Sequence, residues 1–125
     1  MDVAYPGEIS VAIWEQLRAA VPRMVFTPTA SNVNENLLLN TKRPPFDNVK
    51  VRRALSLAID RRAYTKIVHQ GGALVGAALA PKPWGVWGLL DKDLVQLPGY
   101  GKAAEEKARA KKLLAEAGFG PANPL

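Results

Sequence analysis

One histidine, eleven carboxylates and seventeen basic side chains are the groups with which this 125-residue chain could do chemistry, and it has no cysteine. Without Cys there are no disulfides, no thiolate metal sites and no thiol nucleophiles. A zinc site built around His69 alone would need at least two carboxylates beside it. Asp47 and Asp60 invite reading as a general acid/base pair. Each, however, stands just before a periodic apolar run, where helix N-caps belong, and capping accounts for both. His69 falls in the last turn of a predicted helix, where a cation suits the helix dipole; a surface position is preferred there to a ligand role. There is no Gly-x-Ser-x-Gly elbow, and Gly101-Lys102-Ala103 lacks the leading glycine and the Ser/Thr of a phosphate loop. Gly71-Gly72-Ala73-Leu74-Val75-Gly76 has the wrong spacing for a dinucleotide fingerprint. The reading is a non-catalytic chain that uses no cofactor and no metal.

Two other sets are suited to binding. Residues 42–70 hold eight Lys/Arg against Asp47 and Asp60 and carry the whole net charge of +6, the rest of the chain being balanced. Within this stretch Arg52, Arg53, Arg61 and Arg62 invite a phosphate-binding reading. Nucleic-acid binders interleave aromatics with such a set or show a known module, and only Tyr64 lies nearby. A solvated face is preferred, with a small basic nucleic-acid-binding domain as the alternative. Trp84 and Trp87 sit in the loop Pro81-Lys82-Pro83-Trp84-Gly85-Val86-Trp87-Gly88. Anchoring the loop on the core is preferred for them to stacking on a ligand, because a Trp buries a large apolar area.

The elements that must position these groups follow from punctuation and periodicity. Residues 2–5 suit a short strand. A helix follows with Ile9, Ile13, Leu17, Ala20 and Val21 on one stripe, and Pro22 ends it. Arg23 to Thr27 reads as a strand stopped by Pro28, and the stretch to Asn34 as a polar turn. Glu35 to Thr41, with Leu37-Leu38-Leu39 at its centre, suits a buried strand. After Pro44-Pro45, with Asp47 as N-cap, an amphipathic helix carries Val51, Ala54, Leu55, Ala58 and Ile59 on one face. Asp60 caps a second helix with stripe Ala63, Tyr64, Ile67 and Val68, ended by Gly71-Gly72. Residues 73–100 read as a long covering loop, and Lys102 to Ala117 as a helix with Gly118 at C′. No apolar run is long enough to span a membrane.

Three stretches, in order, resemble the family 5 extracellular solute-binding proteins of peptide- and nickel-type ABC importers. They are Leu39-Asn40-Thr41-Lys42-Arg43-Pro44-Pro45-Phe46-Asp47-Asn48, Val49-Lys50-Val51-Arg52-Arg53-Ala54-Leu55-Ser56-Leu57-Ala58-Ile59-Asp60-Arg61, and Lys107 to Phe119 with its Leu113-Leu114-Ala115-Glu116-Ala117-Gly118. The first two are specific; the third alone is weaker, since many Ala-rich helices mimic it. The resemblance implies a mixed α/β chain, part of one lobe of a type II periplasmic-binding-protein fold. Residues 1–41 would be the pre-hinge segment and hinge strand, and 42–125 the helical part of the second lobe. It implies a piece of a longer periplasmic protein that closes over a peptide or similar small solute and meets the transporter's membrane subunits. The family's own ligand-fixing residues do not map onto this stretch. The candidate contacts are Asn40 and Thr41 at the hinge edge, and Trp84 and Trp87. An apolar strand at 35–41 with an unpaired edge would also favour a homodimer.

Overall fold

The computed structural model describes residues 10–25 and 33–125. Within them lie five helices: α1 (Val11–Ala20), α2 (Val49–Ala58), α3 (Arg61–Val68), α4 (Asp91–Leu94) and α5 (Ala103–Glu116). Among the described residues there is no strand, only one isolated bridge between Gly120 and Asn123. The mixed α/β class expected from the resemblance is therefore not seen among the described residues, which are helical and irregular. The strand expected at 2–5 and the stripe position Ile9 lie outside the described residues. The strand expected from Arg23 is described only to Val25, which is 89% exposed and unpaired.

The strand expected at Glu35 to Thr41 is not formed. A strand exists through the ladder it shares with a neighbour, and no described segment supplies one. Leu37 and Leu38 are instead 63% and 90% exposed. Side chains hold this stretch: Asn36 Nδ2 donates to the Asn34 carbonyl at 3.1 Å, and Glu35 reaches α3. The dimer expected through a strand edge at 35–41 therefore lacks its strand, although the apolar exposure that motivated it is present.

Helix α2 starts one residue later than a cap at Asp47 requires. Asn48 is the N-cap, its Oδ1 accepting from the Lys50 N–H at 2.9 Å. The capping side chain must come from the residue next to the first helical one, and Asp47 still belongs to the turn after Pro45. Asp60 caps α3 as expected, its Oδ1 accepting from the Ala63 N–H at 2.9 Å. At the far end of α5, Gly118 has φ +86°. The Phe119 N–H donates to the Leu114 carbonyl at 2.9 Å and the Gly118 N–H to that of Ala115 at 3.0 Å. This is the Schellman pattern that glycine at C′ makes easy.

The core is the antiparallel pair α2–α5, the one helix–helix packing among the described residues. Lys50, at the start of α2, pairs with Glu116, at the end of α5, at 3.0 Å. Ala54, Leu57 and Ala110 are buried between the helices, with Leu113 and Leu114 packed against them. Small Ala54 and Ala110 let the two backbones approach. Val51 and Ala54 of the predicted stripe are buried, while Ile59 is 38% exposed and Leu57, off that stripe, is 6% exposed. The buried row is therefore 51, 54 and 57, set by the side from which α5 arrives and by the end of α2 at Ala58.

The stripe of α3 does not face a core: Tyr64, Ile67 and Val68 are 42%, 76% and 54% exposed. Helix α1 likewise buries none of its residues. Amphipathic spacing says that a face exists, not that something covers it. Leu57→Ala should therefore lower stability by about 2–4 kcal/mol, and Ile67→Ala by no more than about 0.5 kcal/mol. Urea unfolding followed by circular dichroism reads both, and equal losses would contradict this account of the core.

Candidate functional site

The basic residues separate into different roles. Arg61, the first residue of α3, donates from Nη1 to the carbonyls of Ser56 at 3.0 Å and Gly99 at 2.6 Å, and from Nη2 to Ser56 Oγ at 3.1 Å. Its guanidinium also lies 4.3 Å above the centre of the Tyr100 ring. Tyr100 in turn donates its hydroxyl to the Gly76 carbonyl at 3.1 Å. The fork thus satisfies a carbonyl near the end of α2, which a helix leaves without an internal partner. It also fastens loop 71–101 to the helical pair.

Arg52 has a similar task, donating from Nη1 to the carbonyls of Phe46 at 2.7 Å and Asp47 at 2.9 Å, which fixes the turn before α2. Arg62 pairs with Asp91 at 2.6 Å, both side chains being largely exposed. The expectation of a solvated basic face is thus corrected for Arg52 and Arg61 and kept for Arg53, which is exposed. With half of the set committed to backbone oxygens, the nucleic-acid alternative has no support.

A polar cluster joins residues that no motif connected. Glu35 accepts a hydrogen bond from the Tyr64 hydroxyl, and its other oxygen lies 3.0 Å from His69 Nε2. The Tyr64 and His69 rings meet edge to face at 5.7 Å. His69 is the C-cap of α3, as its place in the sequence suggested, but it has gained an acidic partner. The Tyr64 hydroxyl, and then His69, hold the Glu35 carboxyl below the usual carboxylate range. Reciprocally, Glu35 pushes the Tyr64 phenol up. Sequence separation explains why this was missed: Glu35 and Tyr64 stand 29 positions apart, with no periodicity linking them. Among the described residues no group of three or more His, Cys, Asp or Glu is placed to hold a metal ion.

The four candidate ligand contacts are not gathered. Asn40 is engaged in a turn, its Oδ1 accepting from the Lys42 N–H at 3.1 Å, and Thr41 is exposed in the same turn. Trp84 and Trp87 are 58% and 85% exposed, so they do not anchor their loop. The backbone closes it instead: the Lys82 N–H donates to Leu89 at 3.1 Å and the Gly85 N–H to Pro81 at 3.0 Å. A β-carbon at Gly85 or Gly88 would overlap the Ala80 carbonyl oxygen. Of the four residues only Trp84 lines an open depression of about 340 Å³ beside Arg62 and Lys82; Asn40, Thr41 and Trp87 do not line it.

Two outcomes follow from this geometry. Gly99 has φ +84°, and a β-carbon there would stand 2.8 Å from both Arg61 Nη1 and the Ser56 carbonyl. Gly99→Ala and Arg61→Lys should each cost about 1–3 kcal/mol in thermal unfolding, and a neutral result at both would dissolve the clasp. The Glu35 pKa is depressed on folding, so its tie stabilises above the ordinary carboxylate range and is lost as pH falls through the lowered value. The Tyr64 pKa is raised, so its share holds below the ordinary phenol range and is lost as pH rises through the raised value. Amide shifts of residues 34–40 should therefore move on acidification, and Glu35→Gln should abolish that movement.

A family model described as bacterial extracellular solute-binding proteins, family 5 Middle, matches residues 2–124. The periplasmic oligopeptide-binding protein OppA of Haemophilus influenzae is 39% identical over 89 residues, 70% of this chain and 16% of that protein. Heme-binding protein A of the same organism is 40% identical over 83 residues, 66% of this chain and 14% of that protein. OppA of Salmonella typhimurium is 37% identical over 132 residues, 100% of this chain and 22% of that protein. The chain thus spans less than a quarter of the length of these relatives. No solved structure matches it.

Proposed function

The chain belongs to the bacterial extracellular solute-binding proteins of family 5, and we propose that it serves, within a longer protein, the capture of peptides for an ABC importer. The observation that carries this reading is the match along residues 2–124, joined to two relatives named as periplasmic oligopeptide-binding proteins. The role is binding without catalysis, outside the cytoplasm, in partnership with the importer's membrane subunits. Lobe closure over the solute shifts the population toward the form those subunits accept.

Residues 1–41 are read as the approach to the hinge, and 42–125 as helical scaffold of the second lobe. A solute held between two lobes draws its affinity from both walls and from the exclusion of water. The α2–α5 pair, the Arg61 clasp and the Arg52 turn are scaffold in this sense: their polar groups are satisfied by the chain itself. Exposed Trp84 and Trp87 are better placed to meet a solute than Asn40, whose side-chain oxygen is engaged in its turn.

Calorimetry with a mixed tri- to pentapeptide library tests the reading. The full-length gene product should bind with a dissociation constant of about 10 μM or tighter, and the 125-residue chain should show no such affinity. Tight binding by the short chain alone would contradict the two-lobe account. A full-length protein that took heme and no peptide would overturn the choice of solute.

A further inference from the structure

The depression beside Trp84 has a composition that selects a ligand. Its wall includes Arg62, Lys82 and Asp91, together with Trp84, Leu74 and Pro81. Asp91 is already neutralised by Arg62 at 2.6 Å, so the formal charge of this wall is that of Lys82. The Lys82 ammonium has no ion pair or hydrogen bond among the described residues. Arg62 commits one nitrogen to Asp91, and a guanidinium carries five N–H donors. Two residues with unused cationic donors therefore line one depression together with Trp84, which is 58% exposed.

That indole is displayed by a braced loop. The loop closes through its own backbone hydrogen bonds, and Gly85 and Gly88 pack so close to the Ala80 carbonyl that neither position has space for a β-carbon. An aromatic surface set on such a support loses little freedom when a ring stacks on it. Leu74 and Pro81 extend the apolar part of the wall.

We propose that this depression is a subsite for a small aromatic monocarboxylate. The carboxylate takes charge-assisted hydrogen bonds from Lys82 and from the uncommitted side of Arg62, and the ring stacks on Trp84. A single negative charge matches the single unbalanced positive one. The inference goes beyond the import reading and does not rest on it, since the affinity belongs to this chain alone. Because the site is open to water the affinity is weak, with a dissociation constant on the order of 1 mM. A peptide C-terminus and a free carboxylic acid share this chemistry.

The test follows the three indole N–H signals of the chain, from Trp14, Trp84 and Trp87, in nitrogen–proton NMR spectra. The probes are 3-phenylpropionate, its uncharged amide and the dipeptide alanyl-phenylalanine. With 3-phenylpropionate the Trp84 signal should move and saturate near about 1 mM, Trp14 should stay in place, and the amide should do little. Movement with the dipeptide as well supports a peptide C-terminus as the source; movement with the free acid alone supports the subsite with a non-peptide acid. Lys82→Glu should abolish the shift and Lys82→Arg preserve it. Should Lys82→Glu unfold the chain, added salt replaces it and should weaken binding to the native chain several-fold. No Trp84 shift at about 50 mM probe, equal shifts with acid and amide, or indifference to both Lys82→Glu and salt would overturn the proposal.

Discussion

A planar cation with several donors can join backbone segments that have no hydrogen bonds to spare for one another. Arg61 does this by meeting carbonyls of Ser56 and Gly99, the Ser56 hydroxyl and the Tyr100 ring. Without it the end of α2, the start of α3 and the loop leading into α5 would each present polar groups needing water. Lysine supplies one charge but not the fork, and no uncharged side chain donates to so many oxygens at once. The approach is close enough that position 99 must be glycine, in the left-handed region, for the loop to reach the guanidinium. One side chain and one missing side chain thus set how the segment 71–101 sits on the helical pair.

The helices could be read in the sequence because their signals are local. Asp60, Gly118 and the Pro44-Pro45 boundary act within one turn of where they stand, and α2, α3 and α5 lie close to where those residues put them. The cap of α2 slipped by one position because Asp47 and Asn48 are both competent caps, and only the turn geometry chooses between them. The buried row of α2 was legible as a face but not in its centre, since Leu57 is inside only because α5 comes from that side. Strand 35–41 failed for a related reason. Apolar content gives a segment a reason to be buried, and a ladder gives it a reason to be a strand. The sequence of the segment carries only the first.

The candidate site was legible by residue type and not by role. Arg52 and Arg61 look like any surface arginines in a basic stretch, yet their partners are backbone carbonyls, which have no identity in a sequence. Trp84 and Trp87 were expected inside because of their size. Their loop is instead closed by main-chain hydrogen bonds and glycine contacts, so the indoles remain free. The Glu35–Tyr64–His69 cluster depends on two distant segments meeting, and no spacing rule reaches that far. The family likeness was legible because it rests on the order of short, locally readable runs, and those are the runs that fold here as helix and cap.

The loop from Pro81 to Leu89 divides its positions into two kinds. Gly85 and Gly88 hold its shape against Ala80, while Trp84, Val86 and Trp87 stand outward with little to support. Shape and display are therefore carried by different residues, and substitutions at the outward positions leave the closure intact. Such a separation gives evolution, or a combinatorial library, a fixed frame with interchangeable tips. Members of a lineage can then diverge in what this surface touches while inheriting the same loop.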